Sequence, residues 1–202
     1  SGRGVIVFSG SEDDFWRAYT LAIPVASGVT VARKPYIWPL AALVDAYGSY
    51  LVALVDKQGV KLSLFDMGEV QESEEYLGHE VRKLKRGRGS AGGHGRRGGS
   101  PISSQHEGEA VKRNIRDAAE ATRRFCRKHK PQRLILAGAE PTVAQFRQEL
   151  PKQIQDKMIG SFHAGMNASE PEIRKLSLEI LHEKEKERKD ALVEAVFTAA
   201  AK

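Results

Sequence analysis

Residues 82–105, RKLKRGRGSAGGHGRRGGSPISSQ, cannot belong to a packed core, and they divide the chain into an N-terminal and a C-terminal part. The stretch carries Arg82, Lys83, Lys85, Arg86, Arg88, Arg96 and Arg97 without one acid. Glycine occupies 87, 89, 92, 93, 95, 98 and 99. Before Ile102 only Leu84 and Ala91 offer anything to bury. Such a segment cannot offset its ordering entropy by packing, so the expectation is a mobile surface loop. A loop of this length inside a periodic chain is functional or a linker. Its cations suit a polyanion, and phosphate backbones are the commonest one. The competing reading is a disordered linker that only keeps the chain soluble.

The 202 residues allow one or two domains with a real core, and 41 % of them are hydrophobic. The formal net charge of +6 is concentrated around the loop, and a local basic patch points to nucleic acid better than a basic average does. A single cysteine, Cys126, excludes an internal disulfide and fits a reducing compartment. No apolar run is long enough for a membrane-spanning helix, and the first residues lack a signal-peptide core, so a cytoplasmic protein is expected. The scattered histidines make no zinc pattern, and no Gly-Lys-Ser/Thr comes after the glycines. Neither a metal nor a small-molecule cofactor is expected.

Along the chain, Val5 to Phe8 reads as a strand, and Ser11, with Asp13 and Asp14 behind it, starts a short helical turn at Phe15 to Tyr19. Leu21 to Ala32 reads as extended chain or a hairpin. Pro35 and Pro39 bracket a boundary between a partial segment, 1–34, and a domain, 35–202. Residues 40–47 form a helix with Leu40, Leu43, Val44 and Tyr47 on one face, closed by Gly48. Leu51 to Val55 is a strand covered on both faces. After a turn at Asp56 to Gly59, Val60, Leu62 and Leu64 alternate with Lys61 and Ser63, which gives the next strand one polar side. Glu69 to Val81 is a third, more polar strand that runs into the loop.

Beyond the loop, Ser104 and Glu107 have capping-box spacing and open a helix to about His129, with Val111, Ile115, Ala118, Thr122 and Phe125 as its buried stripe. Glu109 with Arg113, and Glu120 with Arg124, support its exposed side. Cys126, beside Phe125, reads as buried filler rather than a nucleophile. Arg133 to Gly138 is a strand, Glu140 to Leu150 a helix, Met158 to Ala164 a strand, and Ser169 caps a long helix to about Ala200. Antiparallel strands and then β-α-β units make an α/β fold, a mixed sheet with helices on its faces.

This order of elements, with His94-Gly95-Arg96-Arg97-Gly98-Gly99-Ser100 ahead of a helix and Pro35-Tyr-Ile-Trp-Pro-Leu-Ala-Ala-Leu-Val-Asp upstream, resembles the central domain of the archaeal–eukaryotic class-one release factor and Pelota superfamily. Its bacterial release factor-like members are the nearest in pattern. The resemblance covers about Pro35 to Lys202. It implies an RNase H-like α/β domain whose loop acts on peptidyl-tRNA in the ribosome. Arg82, Lys83, Lys85, Arg86, Arg88, His94, Arg96 and Arg97 would then contact ribosomal RNA and the tRNA acceptor end. Hydrolytic members carry glutamine directly after the two glycines, and there it helps place the attacking water, which is positioning chemistry. Here that position is Ser100.

The resemblance leaves Gln105 as the candidate amide, with Gly98, Gly99 and Ser100 completing the catalytic set. His94 and His106 are further candidates as bases. Three functions remain open. One is peptidyl-tRNA hydrolysis in rescue or quality control, without stop-codon reading. Another is a non-catalytic, Pelota-like occupant of the ribosomal A site. The third is a generic RNA-binding module. A monomer is expected in each case.

Overall fold

The structure, a computed structural model, describes residues 4–11, 14–78 and 101–200, and within 101–107 the backbone only. Its centre is a five-stranded mixed sheet. The strands are β3 (Tyr50–Val55), β4 (Gly59–Asp66), β5 (Glu69–Leu77), β6 (Arg133–Gly138) and β7 (Met158–Phe162). The spatial order is β5-β4-β3-β6-β7. β3, β4 and β5 form an antiparallel meander, and β6 and β7 add to it in parallel with β3. A meander and then two crossover units are the arrangement that the sequence order dictates.

The apolar runs explain the layering. Every residue of β3 is buried, because both faces of this central strand are covered. Leu51, Ala53 and Val55 face one core, joined by Val60, Leu62, Leu134 and Leu136. The helix α2 (Pro101–His129) covers that face with Ile115, Ala118 and Phe125, beside α3 (Glu140–Glu149) with Phe146. Tyr50, Val52 and Leu54 face a second core with Phe65, Ile135 and Ala137. Over it lie α1 (Trp38–Tyr47) and α5 (Glu170–Ala200), contributing Tyr47, Ile173 and Leu181. A short helix, α4 (Lys152–Gln155), which the sequence reading lacks, leads into β7. Gly138, at φ +142, lets β6 pass close to the Val55 carbonyl, where a Cβ would clash with that oxygen.

Several expectations are corrected. Phe15–Leu21 is a strand, β2, paired antiparallel with β1 (Gly4–Gly10) from Gly4↔Leu21 to Gly10↔Phe15. Aromatic and β-branched residues prefer that pleated ladder to a helical turn. After the hairpin the chain returns to the body, and Ile23 is fully buried in the second core. On α1 the covered residues are Ala46 and Tyr47, with Leu43 packed beside them, whereas Val44 is exposed. The side of β4 expected to be polar is covered too. Ser63 is buried there and lies 3.3 Å from Ser73 Oγ, and Phe65 stacks on Tyr50 at 5.0 Å between ring centres. β5 ends at Leu77. Its alternating charges suit a sheet edge, since they discourage pairing with another chain.

The start of α2 is the correction with most bearing on function. The helix begins at Pro101, not after Ser104. A proline is well placed at a first helical position, because the hydrogen-bond donor it lacks would have no partner there.

Candidate functional site

The candidate residues Arg82, Lys83, Lys85, Arg86, Arg88, His94, Arg96, Arg97, Gly98, Gly99 and Ser100 lie outside the described residues. Gln105 and His106 lie in the helical backbone of α2, and their side chains are outside the described set. The structure therefore defines the foundation on which the loop stands: the end of β5 on one side and α2 on the other.

That foundation is built around the β3–β4 turn. Asp56 Oδ1 accepts the backbone N–H of Gln58 at 2.7 Å and of Gly59 at 2.9 Å, an Asx-type turn that aspartate favours. The Gln58 carbonyl then accepts the N–H of Gly78 at 2.7 Å, which extends the β5 pairing to the last residue before the loop. Asn114, fully buried on α2, donates its Nδ2 hydrogen to the Lys57 carbonyl at 3.0 Å. Gly78 passes so close to Asn114 that a Cβ would overlap its Oδ1. Gly59 is equally constrained, because a Cβ there would strike the Tyr76 carbonyl. Turn, strand end and helix are thus locked together where the loop departs. Asn114 escaped the sequence reading because it lies outside every motif.

From this lock α2 runs outward. Val111 packs against the first core, whereas Gly108 and Glu109 are exposed. From Pro101 to Val111 the helix rises about 15 Å, at about 1.5 Å per residue. Gln105 stands about 6 Å along the axis from Pro101. As the fifth helical residue, it is beyond the backbone donors that a helix start leaves unpaired, which within the helix are those of Ile102 and Ser103. Ser104 as the cap would make Gln105 the first helical residue, so its place along α2 is displaced by about one turn.

The other chemically capable groups are structural. Glu72, Glu74 and His129 place three ligand atoms within 4.8 Å of one another, the one such group among the described residues. Lys128 already supplies a cation there, at 2.8 Å from Glu72 and 3.6 Å from Glu74. Its hydrogen bond, with help from the His129 charge, holds the Glu72 carboxyl below its ordinary range. His129 Nε2 comes within 3.3 Å of Glu72 Oε2 but makes no hydrogen bond to it. The group clasps the edge strand β5 to the last turn of α2. Burial pushes the Cys126 thiol up to about 11, as filler against the core requires and a nucleophile does not. On the opposite face, Arg133 donates to the carbonyls of Asp45 and Ala46 and so caps the end of α1.

Residues 35–181 fit the bacterial archaeo-eukaryotic release factor family 10. The chain belongs to that family. Among solved structures it is similar to an archaeal translation termination factor, at 14 % identity, covering 98 % of this chain and 54 % of that one with a TM-score of 0.42. It is also similar to Archaeoglobus fulgidus Pelota, at 12 % identity, covering 92 % of this chain and 51 % of that one with a TM-score of 0.43. The chain spans about half the length of these structures. No curated protein matches it. Membership rests on the family match, and it makes this family-10 chain a translation-related, release factor-like protein. No helix among the described residues is long and apolar enough to cross a membrane.

Proposed function

We propose that this protein associates with ribosomes and hydrolyses peptidyl-tRNA in rescue or quality control, without reading a stop codon. The observation that carries the reading is the family match over residues 35–181, which spans the loop and both of its supports. The loop's cations, Arg82 through Arg97, would bind ribosomal RNA and the tRNA acceptor end, chiefly by charge. Gly98 and Gly99 would allow close backbone approach to the ester. Gln105 would supply the neutral amide that holds the attacking water, in a place where Ser100 has only a hydroxyl. Residues 35–202 would form the working domain of a cytoplasmic monomer that needs no cofactor.

Ser100 directly after the two glycines favours a second reading, a Pelota-like factor that occupies the A site without hydrolysis. The displacement of Gln105 by one turn of α2 weighs the same way. Single-turnover hydrolysis of peptidyl-tRNA on purified ribosomes, with binding measured separately, decides between the two. Catalysis through Gln105 requires that Gln105→Ala abolish release with binding intact, that Gly99→Ala reduce it, and that Ser100→Ala leave it nearly unchanged. Release by Gln105→Ala at the wild-type rate removes that residue from the mechanism. Binding without any release by wild type establishes the blocking role.

A further inference from the structure

Positive charge in the described structure is gathered on one helix. The helix α2 holds seven lysines and arginines against four acids, Glu107, Glu109, Asp117 and Glu120. On the other side of the sheet, α5 carries eight acids against six cations. The two helical layers therefore differ in sign.

The cations of α2 are also ordered. With about 3.6 residues per turn, Lys112, Arg116, Arg123 and Arg127 fall within about 60° of arc on the exposed side and span about 22 Å of axis. All four are exposed; Asp117 lies off the arc, Glu120 borders it about 20° beyond Arg127, and exposed Glu109, just ahead of Lys112, falls within its angular range. Two of the four cations are paired within the protein. Lys112 and Arg127 form no salt bridge among the described residues, and Arg116, whose side chain is 70 % exposed, lies 3.8 Å from Glu149. Arg123 alone is held tightly, by both oxygens of Glu120 at 2.7 and 2.8 Å. A buried stripe explains why α2 packs on the sheet; it does not explain a row of cations on the outer side.

We propose that the Lys112–Arg116–Arg127 stripe, with Arg123 within it, is a second nucleic-acid contact that lies along the phosphate backbone of a structured RNA. Its length and charge suit a run of phosphates, and the row lacks the aromatic side chains that would stack unpaired bases. The row begins at Lys112; ahead of it residues 101–111 hold no lysine or arginine and carry Glu107 and Glu109, so the stripe would be a contact separate from the loop. The choice of RNA over another polyanion rests on the translation-factor reading.

The test compares wild type with Lys112→Gln/Arg116→Gln/Arg127→Gln, with the loop variant Arg96→Ala/Arg97→Ala, and with the α5 control Lys175→Gln/Lys186→Gln. Binding to a short RNA duplex, to purified ribosomes and to anionic lipid vesicles is titrated over a range of salt concentrations, and circular dichroism confirms the fold. The stripe variant is expected to bind duplex roughly tenfold more weakly, with the log–log salt slope reduced by about two to three. The control should match wild type.

A stripe variant with wild-type affinity and slope on both RNAs overturns the proposal, and the release-factor reading survives if wild type and the loop variant still differ on ribosomes. Stripe-dependent binding to duplex by a protein that ignores ribosomes supports the stripe and removes that reading. Binding to vesicles but to neither RNA overturns the stripe as an RNA track.

Discussion

Asn114 Nδ2 and the Lys57 carbonyl oxygen meet at 3.0 Å, and this hydrogen bond joins α2 to the β3–β4 turn beneath the loop. Replacing Asn114 with alanine removes this half-buried hydrogen bond and leaves a hole where the fully buried Asn114 side chain sat. We expect Asn114→Ala to lower unfolding stability by about 1–3 kcal/mol in urea titrations. Gly78→Ala should cost a similar amount, because its new methyl group needs the space Asn114 fills. Either variant should also weaken any loop-dependent ribosome binding, since the base of the loop is displaced.

Gly108 presents the opposite case. It lies in the outer, exposed part of α2, and a Cβ there would meet nothing within 4 Å. Glycine is a poor helix former, and no packing here requires it. Gly108→Ala should therefore stabilise the protein by about 0.5–1 kcal/mol, read as a rise in thermal midpoint. A loss instead would show that the backbone at 108 must leave the helical conformation.

Tyr50 predicts alkaline behaviour. Ser177 Oγ donates to the Arg174 carbonyl at 3.0 Å, so its hydrogen is used and Tyr50 Oη donates to it, at 3.2 Å. Burial pushes the Tyr50 phenol from 10.0 up to about 12. A raised folded-state value means that stability is whole below pH 10 and declines as pH rises from there to about 12. Tyr50→Phe should flatten that decline, measured by urea unfolding between neutral pH and pH 11, and should cost about 0.5–1.5 kcal/mol at neutral pH.

Cys126 supplies a probe of folding. With its thiol pushed up to about 11, very little thiolate exists near pH 8. An aromatic disulfide reagent should label the native protein far more slowly than the urea-unfolded chain. Equal rates would place Cys126 in an open, ordinary environment and contradict its packing against the first core.

Local periodicity was the legible part of the sequence. The stripe Ile115, Ala118, Thr122 and Phe125 is buried as expected, and the apolar runs of β3 and β6 form the sheet centre. The failures share a cause. Asp13 and Asp14 resemble a helix start, but Asp14 has φ 49 and belongs to a hairpin whose ladder depends on residues up to Leu21. Ser104 and Glu107 satisfy a capping pattern, yet Pro101 takes the first position. Ser63 looks solvent-facing, yet it is buried 3.3 Å from Ser73 Oγ of the neighbouring strand. The most telling omission is Asn114, whose role is set by Lys57, 57 residues away in the chain. The catalytic candidates lie in a stretch whose glycines and arginines state a chemistry without stating a geometry.

The outward run of α2 sets a standoff counted in residues. A helix lengthens by a set amount per residue and turns by a set angle, so the segment between Val111 and Pro101 works as a measuring rod between body and loop. Removing one turn from it would bring Pro101 about 5.4 Å nearer Val111 along the helix axis. A target at a defined depth would register that change as sharply as the loss of a side chain. Selection on this protein would then act on the number of residues in a helix as well as on their identity.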